Sequence, residues 1–172
     1  MDANQRRAAL ADCLSKAGQP ISATVLANRF SVSRQIIVGD IALLRAGGLE
    51  ISATPRGYIL PREHDGILYR VACMHEPEEM GRELEIMVDN GCAVVDVVVE
   101  HPVYGQLTGP LQLASRYDVQ QFLEKVADNS ARPLADLTGG IHLHTIRCPD
   151  ETSYLRVVEK LGEAGLLYRS QQ

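Results

Sequence analysis

Residues 21–48, "ISATVLANRFSVSRQIIVGDIALLRAGG", decide how the first third of the chain folds. Ser22 is placed to cap a short helix in which Ala23, Leu26, Ala27 and Phe30 recur at helical spacing. After the tight "SVS", Ser33 can cap a second helix covered by Ile36, Ile37, Ile41, Leu43 and Leu44, which Gly47-Gly48 then ends. Two helices joined by so short a turn predict a helix-turn-helix.

Upstream, "NQRRAALADCLSKAG" (4–18) sets Leu10, Cys13, Leu14 and Ala17 on one helical face, and Gly18-Gln19-Pro20 stops it. Downstream, "LEISATPRGYIL" (49–60) holds two short β-prone pieces around a Pro/Gly turn, which is a wing. The charge agrees with a DNA-contacting module. Residues 1–65 carry eight Lys/Arg against six Asp/Glu, and residues 66–172 nine against sixteen, so a net of +2 is joined to a net of −7. The polar "PREHDG" (61–66), with His64 solvated inside it, is the expected linker between domains at 1–62 and 67–172.

Beyond the linker the pattern runs strand, helix, two strands, helix, strand, helix. The strands are "ILYRVACMH" (67–75), "CAVVDVVVEHPVYG" (92–105), "QLTGPLQLAS" (106–115) and "GGIHLHTIRC" (139–148). The helices are "PEEMGRELEIMVDNG" (77–91), "DVQQFLEKVADN" (118–129, opened by Asp118) and "DETSYLRVVEKLGEAG" (150–165). That order predicts an α+β open sandwich, β-α-β-β-α-β-α. No run reaches the roughly 20 apolar residues of a membrane span, and no secretory leader is legible, so the cytoplasm is the expected compartment. Cys13, Cys73, Cys92 and Cys148 are far apart and lack a CxxC pair, which predicts buried thiols and no disulfide.

In "GGIHLHTIRC" the two-residue period of a strand points His142 and His144 to one face and Ile141, Leu143 and Thr145 to the other. His75 ends the first strand of this domain, which in an open sandwich can neighbour the last, and Glu83 follows on a helix. His75, Glu83, His142 and His144 can therefore meet as three nitrogens and one oxygen, a set for zinc, nickel, iron or manganese and a poor one for calcium or magnesium. Glu76, Glu78, Glu79 and Glu85 compete as carboxylates but suit a solvated helix face. Cys148 lies roughly 13 Å along the strand from His144 and is excluded. His101, before Pro102, either caps a strand end or, with Tyr104, contacts a small ligand. Gly139 and Gly140 leave room for one beside the metal. No phosphate loop and no catalytic triad is legible, and a metal-dependent hydrolase would need a general base that only His101 offers.

These residues resemble the niacin-responsive transcriptional repressors, which join a biotin-repressor-type winged helix to a three-histidine (3H) regulatory domain. The resemblance spans nearly the whole chain. It rests on "SRQIIVGDIALLRAGG" (33–48) and "ATPRGYIL" (53–60), on the more specific "VEHPVYG" (99–105) and "PLADLTGGIHLHTI" (133–146), and on the His75 to Glu83 spacing. It implies a regulator, not an enzyme, that represses NAD-biosynthesis or niacin-uptake genes as a homodimer on double-stranded DNA with a near-palindromic operator. It further implies nicotinic acid, a pyridine carboxylate, as corepressor, one divalent metal on His75, Glu83, His142 and His144, and an HPr-like regulatory fold. The DNA contacts then expected are Ser33, Arg34 and Gln35 at the start of the recognition helix and Arg56 on the wing, with Arg45 a weaker candidate. The alternatives are a repressor answering to the metal alone and a hydrolase with a DNA-binding appendage. Gly39 sits inside the recognition helix at a cost of about 1 kcal/mol relative to alanine, and is expected to alter operator preference.

Overall fold

The computed structural model describes residues 1–61, 66–130 and 132–169. The chain divides into two compact units between residues 63 and 64. The expected linker falls mostly at 62–65, so it and His64 lie outside the described residues. No helix among the described residues is long and apolar enough to cross a membrane.

The first unit is built from α1 (Ala3–Lys16), α2 (Ala23–Phe30), α3 (Arg34–Ala46) and the hairpin β1 (Ser52–Thr54) and β2 (Gly57–Ile59). Its helix starts are chemical. Asp2 and Gln5 form a capping box on α1, and the Ser22 and Ser33 hydroxyls accept from the amides of Val25 and Ile36. Leu10, Leu14, Leu26, Ile37 and Ile41 are sealed from solvent between the helices, each contributing about 1.5–3 kcal/mol. The buried Asp40 of α3 accepts from Arg6 at 2.6 Å and from Arg7 at 3.4 Å, which binds α1 to α3. Two of the eight basic residues counted in this half thus serve the fold.

On the wing, Thr54 Oγ1 donates to the Gly57 carbonyl at 2.9 Å and closes the turn. Gly57 has φ +135° and runs against the Ile21 carbonyl, where a β-carbon would collide with backbone. Arg45 donates from Nε to the Ile51 carbonyl at 2.8 Å and lies over the Tyr58 ring, so it braces the wing from within the unit. Gly39 is exposed, and a β-carbon there would meet nothing within 4 Å. Gly39→Ala is accordingly expected to raise the stability of the first unit by about 1 kcal/mol, measured as the denaturant midpoint of its unfolding; a loss of stability would mean the helix needs glycine there.

The second unit runs β3 (Ile67–Met74), α4 (Met80–Asp89), β4 (Ala93–His101), β5 (Gly105–Leu113), α5 (Arg116–Asp128), β6 (Ile141–Cys148) and α6 (Glu151–Glu163). Short 3-10 turns at Pro77–Glu79 and Leu134–Thr138 lead into α4 and β6. The sheet order is β3-β6-β4-β5 with every neighbouring pair antiparallel, so β6, last in sequence, inserts between β3 and β4. This is the expected α+β arrangement. Leu84, Met87, Val119, Val157 and Leu161 from the three helices pack with Val71, Val94, Leu113 and Ile146 from the strands. On the opposite side of the sheet Leu68, Met74 and Ile141 are exposed.

Two expectations need correction. Helix α5 begins two residues before Asp118: Ser115 is the cap, and Asp118 reaches back to accept from the Ala114 amide at 2.9 Å. The Ser115 hydroxyl accepts from the Asp118 amide, so the true start is hidden behind the more obvious acidic residue. The thiol expectation fails for two of the four cysteines, because Cys92 and Cys148 are joined as a disulfide with Cα atoms 4.4 Å apart. Ala93 pairs with Arg147 in the β4–β6 register, so the next position places Cys92 opposite Cys148, a proximity concealed by their separation of 56 residues. Cys13 and Cys73 are free thiols.

Candidate functional site

The centre of the second unit is Glu83. Helix α4 carries it inward among apolar neighbours, and it is only 1% exposed. A carboxylate so placed needs partners, and three imidazoles supply them. Glu83 Oε1 lies 2.9 Å from His142 Nε2, and Oε2 lies 2.8 Å from His75 Nε2 and 3.2 Å from His144 Nε2. His142 and His144 come from alternate, inward positions of β6, where the burial pattern follows the two-residue period without a break. His75 arrives from the end of the adjacent strand β3. The four residues singled out as metal ligands are thus brought together, whereas Glu76 and Glu78 are solvated and Glu79 and Glu85 face Arg82 and Arg116.

The far side of each ring explains its orientation. His75 Nδ1 lies 2.8 Å from the Glu76 carbonyl, His142 Nδ1 2.8 Å from that of Gly140, and His144 Nδ1 2.8 Å from that of Asp96. A carbonyl oxygen only accepts, so each Nδ1 carries the proton, and a neutral ring turns the lone pair of Nε2 toward Glu83. Such backbone acceptors behind the rings are the usual support of metal-bound histidines. The Asp96 carbonyl is aimed by a bulge: the register of β4 slips between Val94 and Asp96 against both its neighbours. None of these acceptors is legible in sequence, because each is main chain.

This donor set fits a divalent cation. Three inward lone pairs and a carboxylate are all electron-rich, so protons or a metal ion must lie between them. His75 Nε2 is buried with no hydrogen-bond partner, since its approach to Glu83 is close but poorly directed. A positive ion would satisfy that atom.

Protonation is one way to balance the cluster. Burial disfavours the charged form of His75 and of His144, but the Glu83 carboxylate set against each ring outweighs burial and raises both above the ordinary 6.5. Burial likewise opposes the Glu83 charge, yet the charge of His144, the hydrogen bonds of His142 and His144 and the closeness of His75 hold its carboxyl well below the usual 4.5. In the metal-free chain the histidine contribution is complete below about pH 6.5 and is lost as pH rises through the raised values; the Glu83 contribution is lost only in acid. Metal competes with those same protons. With a chelator present, the melting temperature is therefore expected to fall as pH rises above about 6.5, while the increment from added zinc grows; a zinc increment that shrinks with rising pH would contradict this.

The remaining candidates are placed less centrally. The ring of His101 closes the β4–β5 hairpin, its Nδ1 accepting from the amides of Val103 and Tyr104 at 3.1 and 3.2 Å, and Tyr104 is largely exposed beside it. Gly139 is exposed with open space around it. The room expected beside Gly140 is taken instead: a β-carbon there would lie 2.7 Å from the His75 carbonyl oxygen, so this glycine accommodates the site's own backbone. Cys73, not foreseen as part of the site, has its sulfur, a Glu83 oxygen and a His142 nitrogen all within 4.8 Å of one another. Its place two residues before His75 on an inward strand face was the available signal. In the first unit Ser33, Arg34 and Gln35 are exposed at the start of α3, and Arg56 is half-buried on the wing with Nη1 donating to Gln19 at 3.0 Å.

Comparison with known proteins places both units. A helix-turn-helix domain model matches residues 6–59, and the 3H domain model matches residues 69–170. The "Probable transcription repressor NiaR" of Thermotoga maritima is 43% identical over 163 residues, covering 95% of this chain and 93% of that protein. The "Transcription repressor NadR" of Bacillus subtilis is 40% identical over 173 residues, covering 98% and 96%. An uncharacterized protein of Methanothermus fervidus is 24% identical over 107 residues, 59% of this chain but 17% of that protein. With a helix-turn-helix unit that presents its second helix and a domain centred on three histidines, the chain belongs to the 3H-domain family of DNA-binding transcription repressors, regulators and not enzymes.

Proposed function

We propose that this repressor controls genes of niacin uptake or NAD biosynthesis, binding a near-palindromic operator as a homodimer, with nicotinic acid as corepressor near a divalent ion held by His75, Glu83, His142 and His144. The observation that carries this reading is the convergence of three histidines on one buried carboxylate, inside a domain joined to a winged helix. A nickel or zinc ion there, or iron or manganese, would supply an electrophilic position to a pyridine nitrogen. His101, Tyr104 and Gly139 are the proposed neighbours of the ligand's carboxylate. The ligand acts by preferring the arrangement of the chain that binds DNA, so operator affinity and ligand affinity rise together.

On the DNA side, the N-terminus of α3 offers its free amides and its positive dipole end to phosphate, while Arg34 and Gln35 reach base edges in the major groove. Arg56 extends from the wing to the backbone or the minor groove. Arg34→Ala is expected to weaken operator binding by about 1–3 kcal/mol with the fold intact, read by fluorescence anisotropy; unchanged affinity would remove Arg34 from the interface.

The whole reading is tested by operator binding at one fixed salt concentration with nicotinate, nicotinamide or a chelator present. Nicotinate is expected to tighten binding, a chelator to abolish that gain, and footprinting to show a two-fold protected site. Equal binding with and without nicotinate would end the corepressor reading. The near-complete burial of the four donor side chains favours one rival, a repressor that answers to metal alone, for which metal without nicotinate would give the full tightening.

A further inference from the structure

We propose that Cys73 is a fifth ligand of the same centre, which makes it a three-nitrogen, one-oxygen, one-sulfur site selective for thiophilic ions such as zinc, nickel or cobalt over manganese and magnesium. The inference rests on the metal reading above and concerns a residue outside the four-ligand set.

Position comes first. Cys73 and His75 are two apart on β3 and so share its inward face, and Cys73 is the direct partner of His142 in the β3–β6 register. Directly opposed residues of an antiparallel pair hold their β-carbons about 4.5–5.5 Å apart, close enough for both side chains to reach one atom between them. The sulfur, a Glu83 oxygen and a His142 nitrogen all lie within 4.8 Å of one another. Bond lengths of about 2.3 Å to sulfur and about 2.1 Å to nitrogen let two donors on opposite sides of one ion stand roughly 4.4 Å apart. A set of donors all within 4.8 Å of one another is compact enough for one ion to lie among them.

Chemistry comes second. Cys73 is a free thiol with no solvent access, and its polar neighbour is a buried carboxylate, an acceptor. The Nε2 of His75, buried on the same strand face 2.8 Å from Glu83 yet without a hydrogen bond, also indicates that a cation belongs among these side chains. Binding of the sulfur forms a metal–thiolate bond and releases the thiol proton to solvent. Oxygen-preferring ions gain little from a thiolate, whereas zinc, nickel and cobalt gain a strong ligand, so the sulfur would filter out the ions that a histidine and carboxylate set also accepts. The rival role for Cys73 is that of a small apolar side chain filling the core.

Cobalt(II) is the probe, loaded at one equivalent into the full chain after stripping with a chelator. The wild-type complex is expected to show an intense near-ultraviolet thiolate-to-cobalt charge-transfer band. Cys73→Ser should lose that band but keep the weak visible bands of bound cobalt, and Cys13→Ser should retain both. Cys73→Ser should also lower cadmium affinity by about tenfold or more while leaving manganese affinity within about threefold. Cobalt bound to the wild-type chain without the charge-transfer band overturns the sulfur ligand and leaves the four-ligand reading standing, whether or not the serine variant folds. Absence of any cobalt binding overturns both.

Discussion

Glu83→Gln is expected to cost the second unit more than any other single polar substitution, and to do so with and without metal. In the metal-free chain the carboxylate is, among the described residues, the one negative partner that His75, His142 and His144 share, and it is what raises His75 and His144 toward the charged form. Removing one side of a buried charged set leaves the other side uncompensated, at about 3–5 kcal/mol. Glutamine keeps the volume, so the loss is electrostatic and not a cavity. In the presence of metal the wild-type chain gains RT ln(1 + [L]/Kd), about 4 kcal/mol at a thousandfold excess over Kd, and the variant forfeits most of that gain. Denaturant unfolding of both proteins, with chelator and with zinc, separates the two effects. A variant as stable as wild type in chelator, and still stabilised by zinc, would remove Glu83 from the centre.

Much of this was legible from side-chain spacing. The two-residue period put His142 and His144 on one face of a strand, and helix caps at Ser22 and Ser33 with a three-residue turn gave the helix-turn-helix. What stayed hidden depends on neighbours far apart in sequence. Cys92 meets Cys148 only because β6 inserts beside β4, and nothing local to either cysteine records that insertion. Arg6 and Arg7 counted toward a DNA-binding charge until the fold turned Asp40 toward them. Cys73 looked like core because its neighbours on β3 are core; the register that sets it against His142 is a property of the sheet. The tautomers of His75, His142 and His144 are each fixed by a carbonyl, and main-chain acceptors have no letter in a sequence.

Gly140 carries the sharpest consequence of that backbone chemistry. It has φ +92°, and a β-carbon would lie 2.7 Å from the His75 carbonyl oxygen and 3.5 Å from its carbonyl carbon. These are main-chain atoms, so no rotamer relieves the clash, and the end of β3 has to move away from β6. His75 moves with it. The Gly140 carbonyl is also the acceptor that fixes His142, so one residue governs the placement of two of the three imidazoles. Gly140→Ala is therefore expected to destabilise the second unit by about 1–3 kcal/mol and to lower metal affinity by about ten- to a hundredfold, the range seen when the support behind a ligand is lost. Gly139→Ala is the matched control. It too has a positive φ, +61°, but a β-carbon there meets nothing within 4 Å, so only the left-handed backbone cost of about 1–2 kcal/mol applies and metal affinity stays near wild type. Metal titration of the two variants discriminates strain from support: equal affinities would show that the close approach of the strands does not position His75.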